Sequence, residues 1–159
     1  MTSHLSFLSD SEASTDQFAA ICANAVSEGI TLALDGELGS GKTRFVRAFC
    51  NQLGIAPSEV TSPTFVLMQL YRGPNWTVSH FDTYRLGDPD EFLALGAEEY
   101  LLDPDLICFI EWANRVTEVL PPDRMSVEIR QTGTSKRQFE LSSAGPRSDA
   151  LLARIQQNS

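Results

Sequence analysis

Eight consecutive residues, Gly36-Glu37-Leu38-Gly39-Ser40-Gly41-Lys42-Thr43, satisfy the pattern GxxxxGK[ST] at every required position. Their types serve one chemistry. Glycines let successive backbone N–H groups turn inward around the oxygens of a phosphate. A helix that starts at Lys42 points the positive end of its dipole at the same anion. The Lys42 ammonium reaches the outer phosphates, and the Thr43 hydroxyl completes a Mg²⁺ shell. The alternative, a glycine turn with a surface lysine, explains fewer of these positions. Nucleotide binding is therefore expected of residues 36–43.

A loop of this kind needs carboxylates on neighbouring strand ends to hold the metal and orient the attacking group. Glu111 ends the apolar run Leu106–Ile110, where a second carboxylate is expected; otherwise it is a strand-end surface charge. Asp82 is the other acidic candidate. In an extended chain Trp76, Val78, His80 and Asp82 share one face, which turns His80 and Asp82 toward one cavity. Asp82 also suits a plain turn before Thr83. For His80, a hydrogen-bonded structural histidine is a simpler reading than a proton shuttle. Arg85 suits either a phosphate or a salt bridge, and Trp112 either stacks on a base or packs. Ser62-Pro63-Thr64 follows the loop's helix, where a nucleotide-sensing segment often sits, or is an ordinary turn into the next strand.

The surrounding elements must position these groups. Ser14 and Gln17 have capping-box spacing, and a first helix starting near Ser11–Ser14 carries Phe18, Ile21, Cys22, Ala25 and Val26 before Gly29 stops it. Ile30–Asp35 is a short apolar run, a buried strand leading into the glycine loop. A helix over Lys42–Leu53 follows, with Phe45, Val46, Phe49, Cys50 and Leu53 as its apolar stripe. Thr64–Tyr71 and Trp76–Phe81 read as two strands joined by the hairpin loop Arg72–Asn75. Asp88 and Pro89 open a helix running to Leu101, weakened by Gly96. Leu106–Ile110 is a central strand, Met125–Arg130 and Arg137–Leu141 are two more around Gly133, and Asp149–Gln156 is a closing helix. Alternating helices and apolar strands predict an α/β fold: a three-layer P-loop NTPase-like sandwich, its mixed sheet having a parallel core and an antiparallel hairpin portion.

The 159 residues suit a single domain spanning 1–159. Hydrophobic residues make up 42% and charged residues 21%, which excludes disorder as the main state. With 21 acidic and 12 basic residues the net charge is −9, which repels nucleic-acid backbones but permits one small anion in a local pocket. No run approaches the length of a membrane span. Met1–Asp10 lacks a basic region followed by an apolar core, so no secretory signal is expected. Cys22, Cys50 and Cys108 are widely spaced among apolar neighbours, as buried free thiols are. The expectation is a cytoplasmic protein.

Four ordered blocks resemble one known family. They are Gly36–Thr43, Thr61-Ser62-Pro63-Thr64-Phe65, His80-Phe81-Asp82-Thr83-Tyr84-Arg85-Leu86 and Ile110-Glu111-Trp112, and with the stretches between them they span about Leu34 to Trp112. The chain is similar to the bacterial TsaE (YjeE-like) ATPases of tRNA threonylcarbamoyladenosine biosynthesis. The resemblance implies ATP bound by Gly36, Glu37, Leu38, Gly39, Ser40, Gly41, Lys42 and Thr43, and Mg²⁺ held by Thr43 and Glu111. It implies that Asp82 is needed for hydrolysis, with Lys42 and Thr64 (in a switch segment) beside it, and that Trp112 lies near the nucleotide. Further nucleotide contacts would fall at Glu12, Thr15 and Ser135–Lys136, although Ser135 stands where the family's glycine-basic pair has glycine.

The same resemblance implies a slow ATPase that joins a TsaB–TsaD pair and resets it between cycles. It would touch tRNA only through that complex, and it implies no membrane and no particular oligomeric state. Two rivals remain: a P-loop small-molecule kinase, and a nucleotide-gated binding module without turnover. After residue 112 the only basic cluster resembling a kinase lid is Lys136-Arg137, which is thin for one. A GTPase would need an Asn-Lys-x-Asp segment, which Trp112-Ala113-Asn114-Arg115 does not replace.

Overall fold

The computed structural model describes residues 3–159; Met1 and Thr2, the first residues of the stretch read for a signal, lie outside it. Strands run β1 (His4–Ser9), β2 (Ile30–Asp35), β3 (Met68–Arg72), β4 (Thr77–Asp82), β5 (Leu106–Glu111), β6 (Arg124–Gln131) and β7 (Arg137–Ser143). Helices are α1 (Glu12–Ala25), α2 (Lys42–Gln52), α3 (Pro89–Ala94), α4 (Ala97–Leu101) and α5 (Pro146–Asn158). One seven-stranded sheet has the order β1-β7-β6-β2-β5-β4-β3. The inner four, β6-β2-β5-β4, are parallel, while β3, β7 and β1 are antiparallel to their neighbours. The mixed α/β sandwich read from the sequence is the fold observed, with antiparallel pairing at both edges rather than one.

Each sheet face has its own core, which makes the third layer. On one face α1, α2 and α5 cover Leu32, Leu34, Phe109, Val127 and Phe139. On the other, α3, α4 and the turns at 113–120 cover Ala33, Phe81, Cys108 and Ile110. The central strands are buried on both sides, the reason Ile30–Asp35 and Leu106–Glu111 read as continuous apolar runs rather than alternating ones. Phe18 of α1 stacks on Phe7 of β1, ring centroids 4.2 Å apart, and tilts against Phe45 and Phe139. Those four rings tie the loop's helix to the antiparallel edge. The three cysteines are free and buried, and burial pushes the Cys50 thiol up to about 12 and Cys108 to about 11.

Several boundaries differ from the sequence reading. Strand β1 has no counterpart there: His4–Ser9 alternates exposed and partly buried residues on an edge, so its apolar content is thin. The N-cap of α1 is Ser11, whose Oγ accepts from the Ser14 N–H at 3.0 Å, not Ser14 itself. Strand β3 starts at Met68, because 61–67 loops over the end of β4, with Leu67 at φ 70° and its carbonyl accepting from the Asp82 N–H. The helix over 88–101 is two helices: Gly96, at φ 81°, caps α4 in a left-handed conformation that breaks the run.

The last helix starts three residues earlier than expected, at Pro146, because its capping carboxylate comes from Asp123, immediately before β6. Asp123 accepts from the backbone N–H of Arg147 (2.8 Å) and from the N–H and hydroxyl of Ser148 (3.0 and 2.7 Å). Burial works to raise its pKa, but the bonds from Ser148 and Arg147 together outweigh that and hold it below 3.8. Asp123→Ala should cost about 1–2 kcal/mol, as loss of a helix cap does. The sign follows from the lowered folded value: the contribution is complete above the unfolded value near 3.8 and disappears as pH falls through the folded one. Urea unfolding of both proteins from neutral to acid pH should show the gap close only at the acid end.

Candidate functional site

The loop 36–43 joins the C-terminal end of β2 to α2. Gly39 (φ 82°) and Gly41 (φ 107°) adopt the left-handed backbone that the turn into α2 requires, and Gly41 is the helix N-cap. Lys42 is 5% exposed; its ammonium donates to the carbonyls of Gly36 (2.5 Å) and Glu37 (3.1 Å) and lies 4.1 Å above the Trp112 ring. Burial lowers the Lys42 pKa below its ordinary value, while Glu111, Asp82 and Asp35 pull it back up. An ammonium in this state favours a second source of negative charge in the cleft.

Strands β4 and β5 bring the two carboxylates to the same cleft, with Asp82 and Glu111 as register partners. The Thr43 hydroxyl lies 3.1 and 3.0 Å from the two oxygens of Glu111. Asp82 accepts from the Thr64 hydroxyl (2.8 Å) and the Tyr84 N–H (2.9 Å), and Ser62 Oγ sits 2.7 Å from Thr64 Oγ1. Lys42, Thr43, Ser62, Thr64, Asp82, Glu111 and Trp112 therefore line one cavity with the glycine loop. Trp112 takes φ 60°, rare for a large residue, and the Thr83 hydroxyl donates to its carbonyl at 2.6 Å. Its ring packs 4.8 Å from Tyr84.

A second hollow adjoins the loop on its other flank. Glu12, Thr15, Ser40, Gly41 and Ser135 meet there with Arg44 and Arg137, so the three residues most remote in sequence from the loop come together beside it. Arg44 is fixed by two bonds to Asp16 (3.1 and 2.9 Å) and an ion pair with Glu12. Ser40 Oγ is the single buried side-chain oxygen or nitrogen without a partner among the described residues. Leu38 stands 83% exposed at the loop's tip. His80 is hydrogen-bonded and buried, and the Arg85 guanidinium stacks 4.3 Å from the Phe65 ring rather than joining any of the ion pairs among the described residues.

The donor set suits a hard divalent cation. Thr43 and Glu111 offer oxygen ligands already 3.0 Å apart, and a small cation such as Mg²⁺ held by them would take its remaining ligands from phosphate oxygens and water. Among the described residues no group of three or more His, Cys, Asp or Glu is arranged to hold a metal by itself.

The family model for the threonylcarbamoyl adenosine biosynthesis protein TsaE matches residues 9–139. The chain belongs to the TsaE family. The TsaE of Bacillus subtilis is 33% identical over 141 residues, covering 89% of this chain and 87% of that protein. The TsaE of Rickettsia typhi is 35% identical over 128 residues, covering 80% and 88%. A crystal structure of YdiB from Bacillus subtilis superposes with a TM-score of 0.80 at 28% identity, covering 99% of this chain and 97% of that one. The match begins at Ser9, one turn before Glu12, and ends on β7 two residues past Arg137, so both hollows lie inside it.

Two contributors to this TsaE site escaped the sequence reading. Arg137 donates to the carbonyls of Ser40 (2.8 Å) and Gly39 (3.5 Å) and to those of Gly133, Thr134 and Lys136, clamping the loop to the β6–β7 turn. No local pattern points there, since 97 residues separate Arg137 from Ser40. Tyr71 bonds to His80 at 2.9 Å, and hairpin register could have revealed it: pairing Arg72 with Thr77 sets Gln69 opposite His80 and Tyr71 diagonally beside it. No helix among the described residues is long and apolar enough to cross a membrane.

Proposed function

We propose that this TsaE-family chain is a single-domain, cytoplasmic, Mg²⁺-dependent ATPase that acts on a TsaB–TsaD pair rather than modifying tRNA itself. The observation that carries the reading is the Thr43 hydroxyl held 3.0–3.1 Å from both Glu111 oxygens at the mouth of the glycine loop, with Asp82 and Thr64 across the cleft. In this reading Gly36–Thr43 cradle the phosphates, Glu12, Thr15 and Ser135 flank the nucleoside, and Trp112 closes one wall.

Lys42 moves from the Gly36 and Glu37 carbonyls to the terminal phosphate, exchanging neutral acceptors for a full charge. Thr43 and Glu111 would hold Mg²⁺, whose charge would offset that on the outer phosphates. Asp82, its geometry set by Thr64 and Tyr84, accepts a hydrogen bond from the attacking water and orients its oxygen toward the γ-phosphorus. The segment 61–67 that carries Thr64 thus responds to whether a γ-phosphate is present.

Partner coupling is supported by the rim of the site. Leu38, Phe65 and Val66 are 83%, 78% and 59% exposed, an apolar fringe that a protein surface would cover. The net charge of −9 argues against gripping tRNA directly. A kinase lid lacks material, because Arg137 is committed to five backbone carbonyls.

The test is Mg-ATP hydrolysis by the purified chain, alone and with purified TsaB–TsaD. Slow turnover that rises on adding the pair is expected. ATP binding without any response to the pair would overturn the partner-coupled reading, and transfer to a nucleoside or sugar acceptor would replace it with a kinase.

A further inference from the structure

The Glu111 carboxylate is held from behind as well as from the cleft. His80, wholly buried on β4, sets Nε2 2.5 Å from Glu111 Oε2 and Nδ1 2.9 Å from the Tyr71 hydroxyl on β3. A carboxylate only accepts, so Nε2 carries the proton in that bond. The Tyr71 hydroxyl also lies 2.7 Å from the side-chain amide of Gln69 and 3.4 Å from the Thr61 carbonyl. However the Tyr71 proton is shared among these neighbours, Nε2–H still faces Glu111. The imidazole ring is pinned at both nitrogens, and one carboxylate oxygen is pinned with it.

Glutamate needs such support. It has one more rotatable bond than aspartate, so its oxygens sweep a wider volume unless something fixes them. His80 is 0% exposed and Tyr71 5%, so neither is placed to touch a ligand in the cleft. We propose that Tyr71 and His80 form a positioning relay that aims the Glu111 carboxylate at Thr43 and thereby sets the divalent-cation affinity of the site. The relay runs from the edge strand β3 through β4 to the end of β5. This inference rests on the reading of Thr43 and Glu111 as the Mg²⁺ pair.

The test is calorimetric binding of a non-hydrolysable ATP analogue across a Mg²⁺ titration, repeated in EDTA. In His80→Leu the Mg²⁺ midpoint should rise about tenfold to a hundredfold, the usual effect of removing a carboxylate's or imidazole's supporting partner. Affinity in EDTA should stay at the wild-type level. His80→Gln, which keeps a donor at the reach of Nε2, should restore the midpoint to within about threefold of wild type. Tyr71→Phe, losing one hydroxyl, should show a smaller rise of the same kind.

An unchanged midpoint in a folded His80→Leu protein would overturn the relay. If that variant does not fold, an unchanged midpoint in Tyr71→Phe overturns it equally. A wild-type protein that binds no nucleotide at any Mg²⁺ concentration would instead overturn the nucleotide reading, and this inference with it.

Discussion

Lys42→Met is expected to lose nucleotide affinity by thirtyfold or more while the protein stays folded. Among the described residues Lys42 supplies the only ammonium in the cleft, and its methionine replacement keeps the stem's packing without the charge. Removing one partner of a buried, hydrogen-bonded charge pair costs about 2–5 kcal/mol, and each 1.4 kcal/mol is about tenfold in affinity. The fold should tolerate the change, because burial already disfavours the charged form of Lys42. Calorimetry with ADP and with the ATP analogue reads the affinity, and thermal melting reads the fold. A folded Lys42→Met protein with wild-type affinity would remove the loop from nucleotide binding.

Asp82→Asn should behave in the opposite way, keeping binding and losing turnover. The amide oxygen still accepts from the Tyr84 N–H, and the amide nitrogen still meets Thr64 Oγ1, so the 61–67 segment keeps its anchor. What disappears is the anionic acceptor for the attacking water, a contribution of about a hundredfold or more in rate. Phosphate release under single-turnover conditions measures it, alongside affinity for the analogue. Turnover at the wild-type rate would take Asp82 out of the mechanism. Normal binding without turnover separates an enzyme from a module in which nucleotide merely orders an interface.

The two predictions draw on residues that were legible for different reasons. Lys42 and Thr43 stand inside a contiguous pattern whose backbone requirements are local: glycines at the turn, a helix directly after, a buried apolar strand directly before. Nothing distant is needed to read it, and Ile30–Asp35 and Lys42–Gln52 follow closely. Glu111 and Asp82 were legible as carboxylates at strand ends, yet their adjacency depends on β4 lying parallel and next to β5. A place for Trp112 near the nucleotide was expected from the family resemblance; its ring under the Lys42 ammonium and its left-handed backbone were not.

Pairing explains most of what the sequence left unread. The strand β1 is six residues on a sheet edge, weakly apolar, and its stability comes from β7, at the far end of the chain. The position of β6 against β2 reverses nothing in its own composition but makes the parallel core four strands wide. The Asp123 cap on α5 and the Arg137 clamp on the loop are long-range bonds between polar residues that look like ordinary surface charges when read along the chain.

Local chemistry therefore carried the α/β class, the anion-cradling loop and the family resemblance, because turns, caps and apolar periodicity are properties of neighbouring residues. The second wall of the site belongs to packing. The β3–β4 hairpin sets Tyr71 on His80 locally, but His80 meets Glu111 only once β4 lies beside β5, and the arm of Arg137 reaches the loop only once β7 is in the sheet. Such bonds form when the ends of long loops are brought together, and chain periodicity holds no record of which ends will meet.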